Sequence, residues 1–383
     1  MFLVSSAYTM LIPFLPLYLL EMGVADSEIT LWTGLVFSSC FFVAGVMAPL
    51  WGKLADTSGK KKMAFRASFL LGFSYFFMGL CQSPMQLVVA RAFQGFANGF
   101  VAAAMTIISS SVKSENLGVT LGLAQTSLIV GGICGPMMGG TVSAMVGMRN
   151  SFYIGAAFLW LVCLAVFLFI KEPVMAAKDK RPKKTSIAAD LSYAFHNKRL
   201  WELLSITFVL QCTLLMIQPV TSLYVKELLN DGENVALIAG IIMSSGGIAG
   251  ALTTAWWGKF GQTGGYYRAL FVTMSAAGII TVLQAVPDHV LGFGICQFLA
   301  GCFIVGANPS LSASMVKYTP ESFRGRVFGL QNTAQQFGNM AGPLVVSLIT
   351  LLPGLWHVYV TAGLLQLLIG LKLYGSHISK GER

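Results

Sequence analysis

Two short stretches of this chain read almost alike: GKLADTSGKKK at Gly52–Lys62 and GKFGQTGGYYR at Gly258–Arg268. They lie 206 residues apart. Both begin with Gly-Lys, and both carry a second glycine at the same place, as a tight turn requires. The first copy holds an aspartate and several lysines, whereas the second has lost most of that charge. We therefore predict an internal duplication in which one copy keeps a charged role.

The spacing extends along the chain. At 206 residues, and at 207 for the last two, the matching pairs are Pro13 with Pro219, Leu17-Tyr18 with Leu223-Tyr224, Glu21 with Glu227, Ser38-Ser39 with Ser244-Ser245, Gly95 with Gly301, Gly122 with Gly329, and Gly135-Pro136 with Gly342-Pro343. The series predicts two like halves, residues 1–170 and 200–383, joined by a linker at 171–199. Within the basic linker, the pattern favours a short amphipathic helix near Ile187–His196.

The composition excludes an ordinary soluble protein. Of the 383 residues, 55% are hydrophobic and 10% charged, with a mean hydropathy of +0.72, against roughly 25% charged in soluble domains. Twelve apolar segments approach the ~20 residues that a helix needs to cross a bilayer: 1–20, 29–51, 63–81, 85–111, 118–146, 151–170, 200–225, 235–257, 266–286, 289–315, 327–352 and 355–375. Runs this long suit helices rather than barrel strands of about 10 residues.

The predicted fold class is therefore an all-α polytopic membrane protein of twelve helices. Six spans in each half bring both repeats to the same orientation, so they are parallel repeats related by an axis along the membrane normal. We expect the first segment to be retained, because it lacks a basic leader and a cleavage site. Lys198 and Arg199 precede the seventh helix, and their counterparts would fall before Met1. We therefore expect the natural chain to begin upstream.

The net charge of +10 is explained by topology rather than by nucleic acid binding. With both termini cytoplasmic, 22 of the 25 Lys and Arg residues fall on the cytoplasmic side, which is the asymmetry that orients proteins in a cell membrane. The basic side is also expected to contact anionic lipid. The seven cysteines are scattered without the spacing of a metal site. No phosphate-binding loop motif is present, so we expect no cofactor.

The motifs resemble those of the major facilitator superfamily over essentially the whole chain. GKLADTSGKKK resembles its loop 2–3 signature G-x-L-A-D-x-x-G-R-K-x, with Lys60 where arginine is usual. LVVARAFQGFANG, at 87–99, is similar to its helix 4 motif. GGICGPMMGG, at 131–140, is similar to its helix 5 antiporter motif. PFLPLYLLEMGV, at 13–24, looks like the twelve-helix bacterial multidrug-efflux branch.

The resemblance implies secondary active efflux of small amphipathic, drug-like compounds, driven by inward proton flow and working by alternating access. We expect a monomer. A permease for metabolite uptake or facilitated diffusion remains the alternative, and a sensor without transport activity also stays open. A membrane-embedded enzyme is disfavoured, because the four histidines are scattered over loops and helix ends rather than clustered with other reactive groups.

A conformational gate is expected around the loop that joins helices 2 and 3. The resemblance implies that Asp56 meets the start of helix 11, here opened by FRGRVFG at 323–329, where a helix N-terminus favours an anion. Lys60 is placed to pair with Glu115 after helix 4. The alternative is a tight turn whose charge serves topology alone. The expected gate residues are Gly52, Asp56, Gly59, Lys60, Glu115 and Arg324.

Arg91 is the sharpest single prediction. It lies inside an apolar helix, where a cation costs at least ~2.5–3.5 kcal/mol, and such residues usually line a functional interior. The resemblance implies a role in proton coupling, while a structural bond to backbone carbonyls is the alternative. Arginine does not release its proton. We therefore expect Glu21, at the outer end of helix 1, to carry the proton; a solvated helix-end carboxylate is the alternative.

Two further sets of residues complete the expected site. Gly131, Gly135 and Gly139 form a ridge for close helix packing, beside Gly140 and a bend at Pro136; sliding of a neighbouring helix and tight packing without movement both stay open. Amides facing lipid would be costly, so we expect most of them to face a cavity or another helix, and we assign them to a substrate cavity. The amides are Gln94, Asn98, Gln218, Asn308, Gln331, Asn332, Gln335 and Asn339.

Overall fold

The computed structural model describes residues 1–112, 114–170, 187–230, 232–320, 323–351 and 353–378. Within these ranges the chain is helical, with no β-strand. The helices of the first half are α1 (Phe2–Met10), α2 (Leu15–Glu21), α3 (Ile29–Ser58), α4 (Lys60–Leu80), α5 (Pro84–Ala97), α6 (Phe100–Ser111), α7 (Ser114–Val146) and α8 (Met148–Phe169).

The remaining helices begin in the linker. They are α9 (Ile187–His196), α10 (Lys198–Leu228), α11 (Val235–Gly264), α12 (Tyr266–Leu283), α13 (Val290–Ile304), α14 (Ala307–Lys317), α15 (Arg324–Ile349) and α16 (Trp356–Leu373), followed by a π-helical turn at Tyr374–Ile378. The linker helix predicted at Ile187–His196 is thus confirmed with the same bounds.

Ten helical segments in the described part of the chain are long and apolar enough to cross a membrane, and eleven if the bent pair α1–α2 counts as one. The sequence predicts a twelfth in α15, which is 26 residues long. This helix is less apolar because it carries the amides of QNTAQQFGN, at 331–339. The chain is therefore an all-α, multi-pass membrane protein, as the hydropathy pattern predicts.

Three segments predicted as continuous helices are broken. α1 and α2 meet at an angle of 41°, with Pro16 at the start of α2, where proline is well tolerated. α5 and α6 are separated at Asn98–Gly99, where Gly99 has φ +118°, a conformation that glycine adopts readily. α13 and α14 are separated at 305–306.

The chain forms two compact units that do not coincide with the two sequence halves. Unit 1 comprises Met1–Val174, Gln218–Ser244 and Pro343–Leu351. Unit 2 comprises Met175–Ile217, Ser245–Gly342 and Leu352–Arg383. Unit 1 thus contains the first half together with two segments of the second. The division into halves at 1–170, 171–199 and 200–383 stays a prediction.

The duplication is visible in individual contacts. In unit 1, Trp51 Nε1 donates to Phe96 O at 2.8 Å; in unit 2, Trp257 Nε1 donates to Cys302 O at 2.6 Å. Both the donors and the acceptors lie 206 residues apart in the sequence. The loop glycines behave alike, since Gly59 and Gly265 both have φ +97°. The two repeated stretches, Gly52–Lys62 and Gly258–Arg268, therefore make the same backbone turn at these glycines although they differ in charge.

Candidate functional site

Arg91 is held inside unit 1 by backbone and side-chain acceptors. Its side chain is 3% exposed. Nε donates to Val36 O at 3.3 Å, Nη1 donates to Gln94 Oε1, and the guanidinium lies 5.0 Å from the ring centroid of Phe37. The cation is thus anchored to both α3 and its own helix α5. No described carboxylate forms an ion pair with it.

Gln94 continues this polar cluster. It is fully buried, and its Oε1 also lies 3.9 Å from Cys40 Sγ. Tyr8 OH lies 3.7 Å from that same sulfur. Gln94 Nε2 has no hydrogen-bond partner among the described residues, an arrangement that is costly for a buried donor. The predicted pairing of Arg91 and Gln94 on one face therefore exists, with one donor left over.

Asn98, which the sequence places on the same stripe, is engaged elsewhere because α5 ends at Ala97. Its Oδ1 accepts from Gly99 N at 2.7 Å. Its carbonyl accepts from Arg66 Nη2 at 2.9 Å, and Arg66 stacks on Trp51 with 3.5 Å between the guanidinium carbon and the ring centroid. Trp51 and Arg66 thus satisfy carbonyls that the break leaves without helical partners. The sequence analysis missed this role for Arg66.

The glycines of α7 form a contact surface for α1. A Cβ added to Gly131 would lie 2.5 Å from Phe2 O, one added to Gly135 would lie 2.7 Å from Ser6 O, and one added to Gly139 would lie 2.7 Å from the Met10 carbonyl carbon. Such distances leave no room for a side chain. The sequence-predicted ridge therefore packs backbone against backbone. Whether α1 slides along it is part of the proposal below.

The opposite face of α7 packs against α11. A Cβ on Gly240 would lie 3.0 Å from the carbonyl carbon of Pro136, and one on Gly140 would lie 2.9 Å from Leu237 Cα. Next to Pro136, Ser244 Oγ donates to Ile133 O at 2.6 Å. The same oxygen accepts from Met137 N at 3.2 Å. The helices α7 and α11 are thus joined by close backbone packing and by two hydrogen bonds.

The repeat reproduces this packing between α3 and α15. A Cβ on Gly34, which precedes Gly240 by 206 residues, would lie 2.9 Å from Pro343 O. Ser347 Oγ donates to Thr30 O at 3.0 Å, and Thr350 Oγ1 donates to Thr30 Oγ1 at 2.7 Å. We call these two contacts within unit 1, α7 with α11 and α3 with α15, the glycine–proline junction. It joins helices of the first sequence half to helices of the second.

The predicted gate is described only in part. The side chains of Asp56, Glu115 and Arg324 lie outside the described residues. Gly52, which the sequence places in the loop, lies within α3. Gly59 adopts the left-handed turn that its place predicts, with φ +97°, and Lys60 is half-buried at the start of α4. The neighbouring Lys61 donates from Nζ to Phe167 O at 2.9 Å.

The amides of the predicted cavity fall into separate environments. Gln331 is bonded to α14, with its Nε2 donating to Ser312 Oγ at 2.9 Å. Asn339 Nδ2 donates to Gln336 Oε1 at 3.3 Å. Within the described residues the Oδ1 atoms of Asn308 and Asn339 are buried without a partner. Of the rest, Gln335 and Gln218 are half-buried and Asn332 is exposed.

Glu21 and Glu202 differ in environment. Glu21 lies at the end of α2 with an exposed side chain. Glu202 Oε2, on α10, lies 3.0 Å from His377 Nε2, and these side chains are 16% and 7% exposed respectively. The His377 ring also stacks on Tyr267 with 4.0 Å between centroids. The sequence analysis missed this pair because its members lie 175 residues apart.

Sequence comparison identifies the family. A family model for the Major Facilitator Superfamily matches residues 1–343. The chain belongs to the major facilitator superfamily. This superfamily member is a membrane transporter. The family membership that the loop and helix motifs predict is thus confirmed.

The curated relatives of this superfamily member include multidrug resistance proteins. It is 32% identical to multidrug resistance protein MdtG of Salmonella typhimurium, over 94% of this chain and 90% of that protein. It is 32% identical to a multi-drug resistance efflux pump PmrA homolog of Lactococcus lactis, over 91% and 85%. It is 31% identical to an uncharacterized MFS-type transporter, YuxJ of Bacillus subtilis, over 91% and 89%.

Solved structures share its fold. The nucleoside transporter NupG matches with a TM-score of 0.80 at 18% identity, covering 98% of this chain and 96% of that one. The human organic anion transporter MFSD10 matches with a TM-score of 0.71 at 18% identity, covering 97% and 96%. At this identity the likeness concerns the fold of the superfamily member and not its substrate.

Proposed function

We propose that this transporter exports small amphipathic, drug-like compounds in exchange for protons. The observation that carries the proposal is the identity of 30–32% with multidrug resistance proteins over nine-tenths of the chain. The mechanism is alternating access, in which the halves 1–170 and 200–383, joined by the linker 171–199, rock around a site near the membrane midplane. The transporter works as a monomer in the cell membrane, with both termini in the cytoplasm.

The glycine–proline junction supports the alternating step. At Gly240 and Gly34 the backbones of neighbouring helices are in direct contact. Such contacts exist only when the two helices are closely packed. Packed interfaces of this sort switch between discrete arrangements rather than deforming continuously. We propose that the junction is the closure of the transporter on the outer side and separates when the substrate leaves. The ridge of Gly131, Gly135 and Gly139 lets α1 shift along α7 during that change.

On the cytoplasmic side, we propose that the charged loop of the first repeat is the gate. Asp56 meets the start of the helix that Arg324 opens, as the family resemblance implies. Lys60 pairs with Glu115. Gly59, with φ +97°, makes the turn between α3 and α4, and Gly52 lies near the end of α3. The second copy, with Gln262 in place of the aspartate, keeps the turn and contributes no gate.

Proton coupling is assigned to the polar cluster of α5 and to Glu21. Arg91 stays charged throughout, so its part is to set the local field, and the unpaired Nε2 of Gln94 supplies a donor for a substrate or a water. Glu21 is the carboxylate that takes and releases the proton. The proposed cavity is lined by Gln94, Asn98, Gln218, Asn308, Gln331, Asn332, Gln335 and Asn339, whose amides suit varied ligands among apolar neighbours.

The test is transport by purified protein in proteoliposomes under an imposed pH gradient, with an amphipathic fluorescent dye as substrate. Wild type should move the dye only when the gradient is present. Arg91→Ala should lose gradient-driven transport and keep its fold, and Glu21→Gln should lose it while retaining dye binding. Glu202→Gln serves as the matched carboxylate control, because this residue is paired with His377 in unit 2.

The outcomes separate the candidates. Dye movement without any gradient would remove proton coupling and leave facilitated diffusion. Failure to move any dye, together with accumulation of a metabolite, would replace efflux with an uptake permease. Full activity of Glu21→Gln with loss in Glu202→Gln would move the proton site to unit 2.

A further inference from the structure

The corner between the linker helix and the first span of unit 2 carries an exposed aromatic pair. The ring of Phe195, on α9, stacks on that of Trp201, on α10, with 4.1 Å between centroids. These side chains are 54% and 41% exposed. Tyr193, two residues earlier, packs against Phe323 with 4.3 Å between centroids, and the intervening Ala194 is fully buried. One face of the corner, with Tyr193 and Ala194, is thus packed against the protein, and the other face exposes the rings of Phe195 and Trp201.

Cations surround the same corner. Lys198 and Arg199 are exposed at the first turn of α10. The Arg199 guanidinium lies 4.7 Å from the Tyr318 ring centroid, and Lys317 Nζ lies 5.8 Å from it. A cation at a helix N-terminus is unfavourable by itself, because that end of the helix dipole is positive. The two exposed cations at this helix start therefore have the same sign as the adjacent end of the helix dipole.

A groove opens at this point of the surface. It has a volume of about 420 Å³ and is lined by Tyr193, His196, Asn197, Lys198 and Arg199. Asn197 Oδ1 accepts from Leu200 N at 3.2 Å, so this amide oxygen caps α10. Lys198 and Arg199 are the charged side chains that line the groove. Aromatic rings and basic side chains are the pair of features that membrane proteins use at the lipid headgroup level.

We propose that this groove, lined by Tyr193, His196, Asn197, Lys198 and Arg199, binds the headgroup of an acidic phospholipid. Lys198 and Arg199 hold the phosphate, and one acyl chain lies along Phe195 and Trp201. Charge complementarity selects the occupant, because each basic residue near an anionic membrane surface contributes to attraction. The groove thereby anchors α9, and with it the end of the linker, to the basic side of the membrane. This inference stands independently of the efflux activity.

The test uses the full chain in nanodiscs and the fluorescence of Trp201. Brominated acyl chains quench a tryptophan that they touch, and the signal of Trp201 is obtained by subtracting the spectrum of Trp201→Phe. Brominated phosphatidylglycerol, diluted in unlabelled phosphatidylcholine, should quench Trp201 more than brominated phosphatidylcholine at the same fraction. The double variant Lys198→Gln/Arg199→Gln should lose this preference, with an apparent affinity for the acidic lipid roughly thirtyfold lower.

The matched control is Lys259→Gln/Arg268→Gln, which removes the same charge from exposed cations elsewhere in unit 2. It should keep the preference at Trp201. Equal quenching by both lipids in wild type would overturn the proposal, as would equal loss of preference in the control. Inorganic phosphate added at excess should leave the quenching unchanged; competition by phosphate would assign the groove to a soluble anion instead.

A folding defect is separated by a second measurement. Phe195→Ala keeps both cations and should retain the preference for phosphatidylglycerol while lowering total quenching. Lipid retention in native mass spectrometry should show the same order of variants. Loss of the lipid adduct in Phe195→Ala but not in Lys198→Gln/Arg199→Gln would mean an apolar site without charge selection, contrary to the proposal.

Discussion

Ser244 of α11 forms hydrogen bonds with the backbone of α7 at Ile133 and Met137. Its Oγ donates to Ile133 O at 2.6 Å and accepts from Met137 N at 3.2 Å, two groups that would bond to each other in an unbroken helix. These bonds lie beside Pro136, which has no N–H to donate to the helical ladder. The Ser244 side chain ties the two helices together at this point.

Removing the Ser244 hydroxyl should weaken this tie. In Ser244→Ala, the part-buried groups Ile133 O and Met137 N lose their hydrogen bonds to α11, each worth about 0.5–1.5 kcal/mol. We expect a lower melting temperature in detergent and easier access of thiol reagents to a cysteine placed at Leu237. Ser127→Ala is the control, because Ser127 Oγ bonds only to Leu123 O of its own helix. Equal melting of both variants would show that Ser244 adds nothing.

Adding a methyl group at the junction should obstruct its closure. In Gly240→Ala the new Cβ meets the Pro136 carbonyl, whose carbon would lie 3.0 Å away. We expect drug resistance in cells to fall to the level of the empty vector while membrane expression persists. Gly122→Ala is the matched control on α7, since nothing lies within 4 Å of its added Cβ. Normal resistance in Gly240→Ala would mean that this contact is not needed for turnover.

Charge alone should not replace Arg91. Lysine keeps the positive charge, but its single nitrogen cannot occupy both the Nε and the Nη1 positions from which Arg91 bonds Val36 O and Gln94 Oε1. We expect Arg91→Lys to lose at least tenfold in gradient-driven transport, about 1.4 kcal/mol or more in the transition state. Arg268→Lys, at an exposed position on α12, should remain active. Activity retained in Arg91→Lys would point to charge as the whole requirement.

The break between α5 and α6 should depend on Arg66. In Arg66→Lys the planar stacking on Trp51 is lost. The only remaining donor group is one ammonium, in place of the guanidinium whose Nη2 bonds Asn98 O. Cation–π contacts contribute about 0.5–2 kcal/mol, so thermal unfolding should occur at lower temperature than in wild type. Trp257→Phe tests the equivalent tryptophan of the second repeat, which bonds Cys302 O at 2.6 Å. An unchanged melting temperature in Arg66→Lys would remove Arg66 from the support of the break.

Local patterns explain which parts of the site were predictable. Arg91 and Gln94 are three residues apart, so helical periodicity alone brings them to one face, and the structure joins them. The same periodicity extended the stripe to Asn98 and failed there. The helix α5 ends at Ala97, and Gly99 turns the chain into α6 with φ +118°. A glycine in an apolar run does not reveal whether it bends the chain or packs against a neighbour.

Contacts between distant residues were not predictable. The repeat pairs Ser38-Ser39 with Ser244-Ser245, but nothing in that match says that Ser244 reaches the backbone of α7, 111 residues away. Arg66 was counted among the topology charges, since a cation near a helix end is ordinarily explained by the positive-inside rule. Its second role depends on Trp51 and Asn98, which only folding brings to it.

The sequence by itself determined the class of molecule and its internal duplication. Hydropathy, charge asymmetry and a 206-residue spacing are properties of the chain that need no knowledge of packing. The tertiary structure decided how the helices meet. It determines which face of α7 packs against α1 and which against α11, and where Ser244 bonds the backbone of α7. Apolar helices in lipid offer many similar faces to one another, so close backbone packing and a few polar bonds select the pairs.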